Sequence, residues 1–244
     1  MNNFLWIFRH YLKKNFLTPA NLLVIGLPII FMLTFHLLNN YLLELLGTEV
    51  VLLYGIGVPM VLGFQFFGAD LTADWLHHDM KGPTRARLLV SPVAPRVFYA
   101  GVMLAGWLFN VFYGSIVVAI TAAAFGETFG NYGLVLLVLL CLSFITQLVG
   151  VLIFYFTKDE KSGTRLSYVF GEIMIGITIL PFVFPDLFDT NGPAATLINH
   201  FPTNVGLNII YNNNLLYNLA VMLGIVALLS LVAFIIGRQR NDNL

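Results

Sequence analysis

Asp74, His77, His78 and Asp79 form the densest group of potential metal ligands in the sequence. Asp74 and His78 stand four residues apart, which on a helix sets them on one face. A zinc-type site needs a third and usually a fourth ligand. The spacing fixes no third one, and adjacent histidines point in different directions, so a structural or surface role is the favoured reading. Glu172, in "SYVFGEIMIG", is the one ionisable residue inside an expected apolar span. A charge at the centre of a membrane helix costs roughly 2.5–3.5 kcal/mol on insertion scales. Glu172 therefore either faces a pathway or a second subunit, or it snorkels or stays a neutral hydrogen-bonded carboxyl; both readings stand open.

Other constellations are missing. No Gly-rich phosphate loop ending in Gly-Lys-Ser/Thr occurs, so ATP binding by that motif is excluded. There is no His-Glu-x-x-His. Cys141 is the single cysteine and lies in an apolar run, where it reads as a small packing hydrophobe. Gln65, Asn110, Thr146 and Gln147 are polar residues inside apolar runs, expected to form interhelical hydrogen bonds rather than to meet a substrate.

The elements that position these residues follow from composition. The 244 residues are 59% hydrophobic and 10% charged, with a mean hydropathy of +0.86. Soluble domains carry about a quarter charged residues, so this chain cannot clothe a water-soluble globule. It reads as an all-α, polytopic integral membrane protein of one transmembrane domain, 1–244. The formal net charge is zero, which gives no general case for nucleic-acid binding.

A helix needs about 20 mainly apolar residues to cross the hydrocarbon core. Six segments are expected to do so: Asn21–Leu38, Val50–Gly68, Val97–Ala124, Gly133–Phe156, Ser167–Phe184 and Leu215–Gly237. Lys and Arg alternate between the connections. Arg9, Lys13 and Lys14 precede the first span. Lys81, Arg85, Arg87 and Arg96 follow the second, and Lys158, Lys161 and Arg165 follow the fourth. Arg238 and Arg240 follow the last. These are all twelve, and the intervening connections hold none. The asymmetry is expected to place both termini and the 69–96 segment in the cytoplasm. The N-terminal basic and apolar stretch lacks the cleavage site of a signal peptide.

Residues 1–19 contain "NNFLWIFRHYLKKNF", in which Phe4, Leu5, Phe8, Tyr11, Leu12 and Phe16 recur at helical spacing. Arg9, His10, Lys13 and Lys14 take the other face. This predicts an amphipathic entry helix lying in the membrane interface. The segment 185–214 carries Pro185, Pro193 and Pro202, and "AATLINHF" and "TNVGLNIIY" predict two short helices on the outer face.

The longest polar stretch is "HHDMKGPTRARLLVSPVAPR". Before it, Leu71, Trp75 and Leu76 predict an apolar ridge. Gly82-Pro83 predicts a break, and Thr84 a cap on a second short piece, "RARLLV", ending before Pro92. A plain connector needs only a few residues. A structured knob of this size, on a chain with no catalytic constellation, points to protein docking.

These residues carry a resemblance. The chain looks like the membrane subunit of type-two ABC exporters, the permeases of drug, antibiotic and bacteriocin transport. The likeness rests on the amphipathic entry helix, the six expected spans, and paired short helices with the Pro of "HFPTNVGLNII". It rests most on a first cytoplasmic loop reading acidic-x-x-Gly-(Thr)-…-Leu-Leu-x-x-Pro-Val, here Asp79, Gly82, Thr84, Leu88, Leu89, Pro92 and Val93. Pro83 stands where the family runs Gly-Thr directly.

The resemblance implies that 69–96 is a coupling loop seated in a cleft of a separate ATP-binding subunit. The permease itself would carry no cofactor, since ATP sits on that partner, and would work as a homodimer or heterodimer in a bacterial plasma membrane. Docking would use Trp75, Asp79, Lys81, Gly82, Arg85, Arg87, Leu88 and Leu89. Lys81, Arg85 and Arg87 would steer, and Leu88, Leu89 and Trp75 would anchor. Glu172 would line a pathway or a contact between subunits. The cargo would be hydrophobic or amphiphilic: a drug, antibiotic, antimicrobial peptide or lipid. The main rival is a stand-alone secondary transporter or channel; an intramembrane enzyme would need paired catalytic groups that the spans lack.

Overall fold

The computed structural model describes residues 3–46, 57–82, 84–86, 93–125, 129–183 and 192–241. Among them the chain is helix and turn, with no strand. Helix α1 is Asn3–Leu17 and α2 is Pro19–Leu46. Thr18 closes α1, its amide and its hydroxyl both donating to Lys14 O, and Pro19 suits the first position of α2, where no amide is needed. Next come α3 (Gly57–Phe64), a 3-10 turn (Gln65–Gly68), α4 (Ala69–Leu76) and a π-helical turn (His77–Lys81). The long helices are α5 (Pro95–Phe125), α6 (Tyr132–Phe156), α7 (Glu160–Val183) and α10 (Leu215–Asn241), with short α8 (Pro193–Asn199) and α9 (Pro202–Ile210) between the last two. Asn212 and Asn214 take positive φ in the turn into α10, which asparagine tolerates better than most residues.

Among the described residues, four helices are long and apolar enough to cross a membrane: Pro95–Ala124, Tyr132–Phe156, Glu160–Phe182 and Leu215–Gln239. The expected count was six. In α2 the apolar part is Gly26–Leu38, shorter than those four. The expected second span lies partly outside the described residues, and from Gly57 onward the 3-10 turn interrupts it. Helix α7 also starts earlier than the apolar run from Ser167. Asp159 caps it, accepting from Ser162 N at 2.9 Å and Ser162 Oγ at 3.0 Å. Hydropathy does not register a helix that begins in polar residues.

Helix α6 is the centre of the bundle: 67% of its most apolar stretch is buried, against 11% for α10 on the rim. Leu139, Leu142 and Ile145 of α6 meet Leu62 and Phe66 of the broken helix, Ile209 of α9 and Met222 of α10 in the main core. A second core joins Ile7 and Tyr11 of α1 to Leu76, Phe98, Val102 and Phe154. Large apolar side chains stay exposed along α2 (Ile30, Leu37) and α10 (Leu228, Leu231). Such continuous apolar surface suits lipid or a partner, not water.

Helix α1, expected to lie in the membrane interface, also packs against the bundle. Its Ile7, Tyr11 and Asn15 stripe is buried against the protein. A Cβ on Gly101 of α5 would meet Ile7 Cγ2 at 2.6 Å, so this glycine lets the helices touch. Tyr11 packs edge-on against Phe98. Leu5, Trp6, Phe16 and Leu17 remain exposed.

Candidate functional site

The segment 69–96 is mounted on the bundle by close backbone contact and buried polar bonds. A Cβ on Gly150 of α6 would lie 2.4 Å from Ala69 O, so α4 and α6 approach as only glycine allows. The 3-10 turn frees carbonyls from the helical ladder, and side chains of neighbouring helices take them. Asn110 Nδ2 donates to Gln65 O at 3.0 Å, and Gln147 Nε2 to Gly68 O at 3.0 Å. Thr72 Oγ1 donates to Gln147 Oε1 at 2.6 Å, and Ser143 Oγ to Gln65 Oε1 at 3.2 Å. Gln65, Asn110 and Gln147 thus bridge helices. Thr146 differs: its hydroxyl donates to Leu142 O of its own helix at 2.8 Å.

Together, α4 and the π-helical turn that follows it are tied to three helices. Tyr11 Oη of α1 donates to Asp79 Oδ2. Thr84 Oγ1 donates to Asp79 Oδ1 at 2.9 Å, and His78 Nδ1 contacts the same oxygen at 2.7 Å. Trp75 Nε1 donates to Asn15 Oδ1 at 2.7 Å, and Lys14 Nζ sits 4.6 Å from the Trp75 ring centroid. Lys81 Nζ donates to Phe154 O at 2.7 Å and Thr157 O at 2.5 Å. A cation on the last carbonyls of α6 complements its C-terminal dipole. Thr164 Oγ1 of α7 donates to Asp74 Oδ1 at 2.8 Å.

His77 is held the same way. Its Nε2 lies 2.7 Å from Thr157 Oγ1. That hydroxyl already donates to Ile153 O at 2.6 Å, so His77 Nε2 carries the proton and donates. Its Nδ1 is buried without a hydrogen-bond partner. Burial, then the Lys81 charge, push His77 down to about 4, so it is neutral at pH 7. For Asp79, burial raises the pKa, but the bonds from Tyr11, His78 and Thr84, with Lys14 nearby, outweigh it and hold the carboxyl below its ordinary value.

The candidate docking residues therefore fall into two groups. Asp79 is buried, Trp75 is half-buried, and both are engaged within the chain, as is Lys81. Gly82 is a turn: φ is −86°, ψ −169°, and a Cβ there would lie 2.1 Å from His78 O. Arg85 and Ala86 are exposed. Arg87, Leu88 and Leu89 lie outside the described residues. Thr84 was expected to cap the following helix, which begins at Arg85; its hydroxyl also reaches back to His78 O at 3.1 Å. Leu76, expected on an apolar ridge, is fully buried in the second core.

Glu172 is exposed on α7, beside exposed Tyr168, Val169 and Ile173. The bundle of this one chain does not enclose it. Asp74, His77, His78 and Asp79 are brought near one another by the helix, but no group of three metal-binding side chains forms among the described residues. The sequence reading passed over Asp70. It lies one turn before Asp74 on α4, and its Oδ1 is buried without a hydrogen-bond partner. It borders a cavity of about 20 Å³ shared with Asn110, Tyr113 and Tyr168. The i, i+4 spacing of the two acids was the available signal. Compared with family models, curated proteins and solved structures, the chain matches none.

Proposed function

We propose that this chain is the membrane-spanning permease subunit of an ATP-driven exporter, powered by a separate ATP-binding subunit docked on the 69–96 segment. One observation carries the reading: the turn carrying exposed Arg85 and Ala86 follows a segment, α4 with the π-helical turn, that is tied to α1, α6 and α7 at once. A push on that turn would be transmitted to three helices rather than absorbed by a loose loop. Such coupling needs a contiguous physical connection, and the bonds from Asp79, Lys81 and Asp74 supply one. The resemblance of the loop residues Asp79, Gly82 and Thr84 to the exporter pattern points the same way.

In this account both termini and the turn are cytoplasmic, there are six spans, and the permease works as a pair. Exposed Glu172 on α7 would then face a pathway or a second subunit. Asp79, Trp75 and Lys81 would hold the coupling element in place, while Arg85, Ala86 and the residues that follow would meet the ATPase. A photocrosslinking amino acid at position 86, in native membranes, tests this. The expected product joins the chain to a protein with an ATP-binding phosphate loop. The same probe at Leu231, exposed on α10, should not give that product. Equal labelling at both positions would refute the docking assignment.

A second reading, a stand-alone secondary transporter, draws on the Asp70–Asp74 pair beside its small cavity. Interior acids often mark ion or proton paths. Under that reading Asp70→Asn abolishes transport in vesicles without ATP. Under the exporter reading, vesicles lacking the ATPase show no transport even with Asp70 intact.

A further inference from the structure

A cavity of about 440 Å³ lies between α5, α6 and α10, with Pro95 and Arg96, the last residues of the 69–96 segment, at its edge. Small-ligand sites fall between roughly 300 and 1,000 Å³, so its size is that of a binding site rather than a packing flaw. Its two ends differ. Arg96, in the first turn of α5, and Arg238, near the end of α10, stand at one end with Tyr99. Met103, Leu148 and Ala233 line the other. The polarity gradient follows from topology: α5 begins, and α6 and α10 finish, at the end of the bundle that carries the Lys and Arg residues.

The two arginines are exposed and make no ion pair or side-chain hydrogen bond among the described residues. No Asp or Glu lines the cavity. The Tyr99 hydroxyl is buried there beside Tyr155, whose ring centroid lies 5.9 Å from that of Tyr99. Phe234, on the rim, is 59% exposed, so the groove opens sideways onto the apolar surface of α10. A ligand would enter from the bilayer, present an anion to two guanidinium groups, and lay an apolar tail along the groove.

We propose that this groove is a binding site for an anionic phospholipid, its phosphate held between Arg96 and Arg238 and one acyl chain packed between α5, α6 and α10. Charge complementarity selects an anionic over a zwitterionic head: two cations face the site and no acid among the described residues lines it. Guanidinium groups pair with phosphate oxygens in bidentate geometry, and Tyr99 adds a hydroxyl. The proposal does not depend on the exporter reading.

The test is native mass spectrometry of the purified full chain in detergent, titrated with palmitoyl-oleoyl phosphatidylglycerol or the matching phosphatidylcholine. The expected result is one retained phosphatidylglycerol, preferred by about 30-fold, the contribution of two cations near a membrane surface. Arg96→Gln with Arg238→Gln should erase the preference. Arg9→Gln with Arg165→Gln, an equal loss of charge at two other exposed positions, should keep it. Ala100→Phe, which fills the groove without touching charge, should lose the retained lipid; if that variant does not fold, the arginine pair decides alone. The proposal is overturned if both lipids bind equally or if the Arg96/Arg238 variant keeps the preference. It is also overturned if inorganic phosphate stabilises the protein to heat as much as phosphatidylglycerol does. Efficient disulfide formation between Phe234→Cys copies in phosphatidylglycerol vesicles would show a second subunit covering the groove, and would overturn it too.

Discussion

Tyr11→Phe isolates the bond that fastens α1 to the π-helical turn. The ring stays, with its edge contact to Phe98 and its tilted contact to Trp75; only the hydroxyl is lost. Tyr11 is 4% and Asp79 6% exposed, so water does not replace the bond. A hydrogen bond to a charged group contributes about 1.5–3 kcal/mol. Asp79 keeps Thr84 and His78, which favours the lower half of that range. At about 2 kcal/mol, and 1.4 kcal/mol per decade, α1 should open about 30-fold more often. Hydrogen exchange of the 3–17 peptide in detergent at neutral pH reads this directly. Asp79→Asn should have a similar effect, and the double variant should not double it, because both changes remove one shared bond. Unchanged exchange in Tyr11→Phe, or fully additive effects, would refute the claim that this bond holds α1.

Acid should act through His77. Its folded pKa of about 4 lies below the ordinary 6.5, so the unfolded chain binds the extra proton more readily. Stability should fall as pH drops from 6.5 toward 4, and His77→Gln should flatten the Tm profile over that window. Asp79 works in the same direction at lower pH. Its carboxyl is held below its ordinary value of 3.8, so its contribution is complete above that value and lost as pH falls through the folded one; the Tm of the wild type should then approach that of Asp79→Asn. Gly150→Val should cost at least 1–3 kcal/mol by overpacking, because the added carbon meets the backbone oxygen of Ala69 rather than a movable side chain. Folded yield should drop sharply for Gly150→Val and little for Gly224→Val, since nothing lies within 4 Å of a Cβ at Gly224.

Apolar run length made the membrane helices and the all-α class legible. The prolines at 193 and 202 marked the starts of α8 and α9, each at the first turn. The bridging roles of Gln65, Asn110 and Gln147 followed from polar residues in apolar surroundings. The 3-10 and π-helical turns were not legible, because both depend on tertiary partners such as Asn110, Gln147 and Lys81 that local sequence does not reveal. The buried face of α1 was misjudged for a related reason. Its stripe contains Asn15, which periodicity assigns to water and which Trp75 makes a buried acceptor. The burial of Asp79, expected at the docking surface, was not legible for the same reason: Tyr11, its partner, lies 68 residues away in sequence.

The most direct test is purification of the tagged chain from native membranes in gentle detergent, with an ATPase assay and identification of bound proteins. The account predicts an ATP-binding subunit that co-purifies with the wild type and is lost from Arg85→Glu with Ala86→Trp, two changes at exposed positions that leave the Tyr11–Asp79 and Lys81 bonds in place. Recovery of the well-folded chain alone, with no ATPase activity, would contradict it.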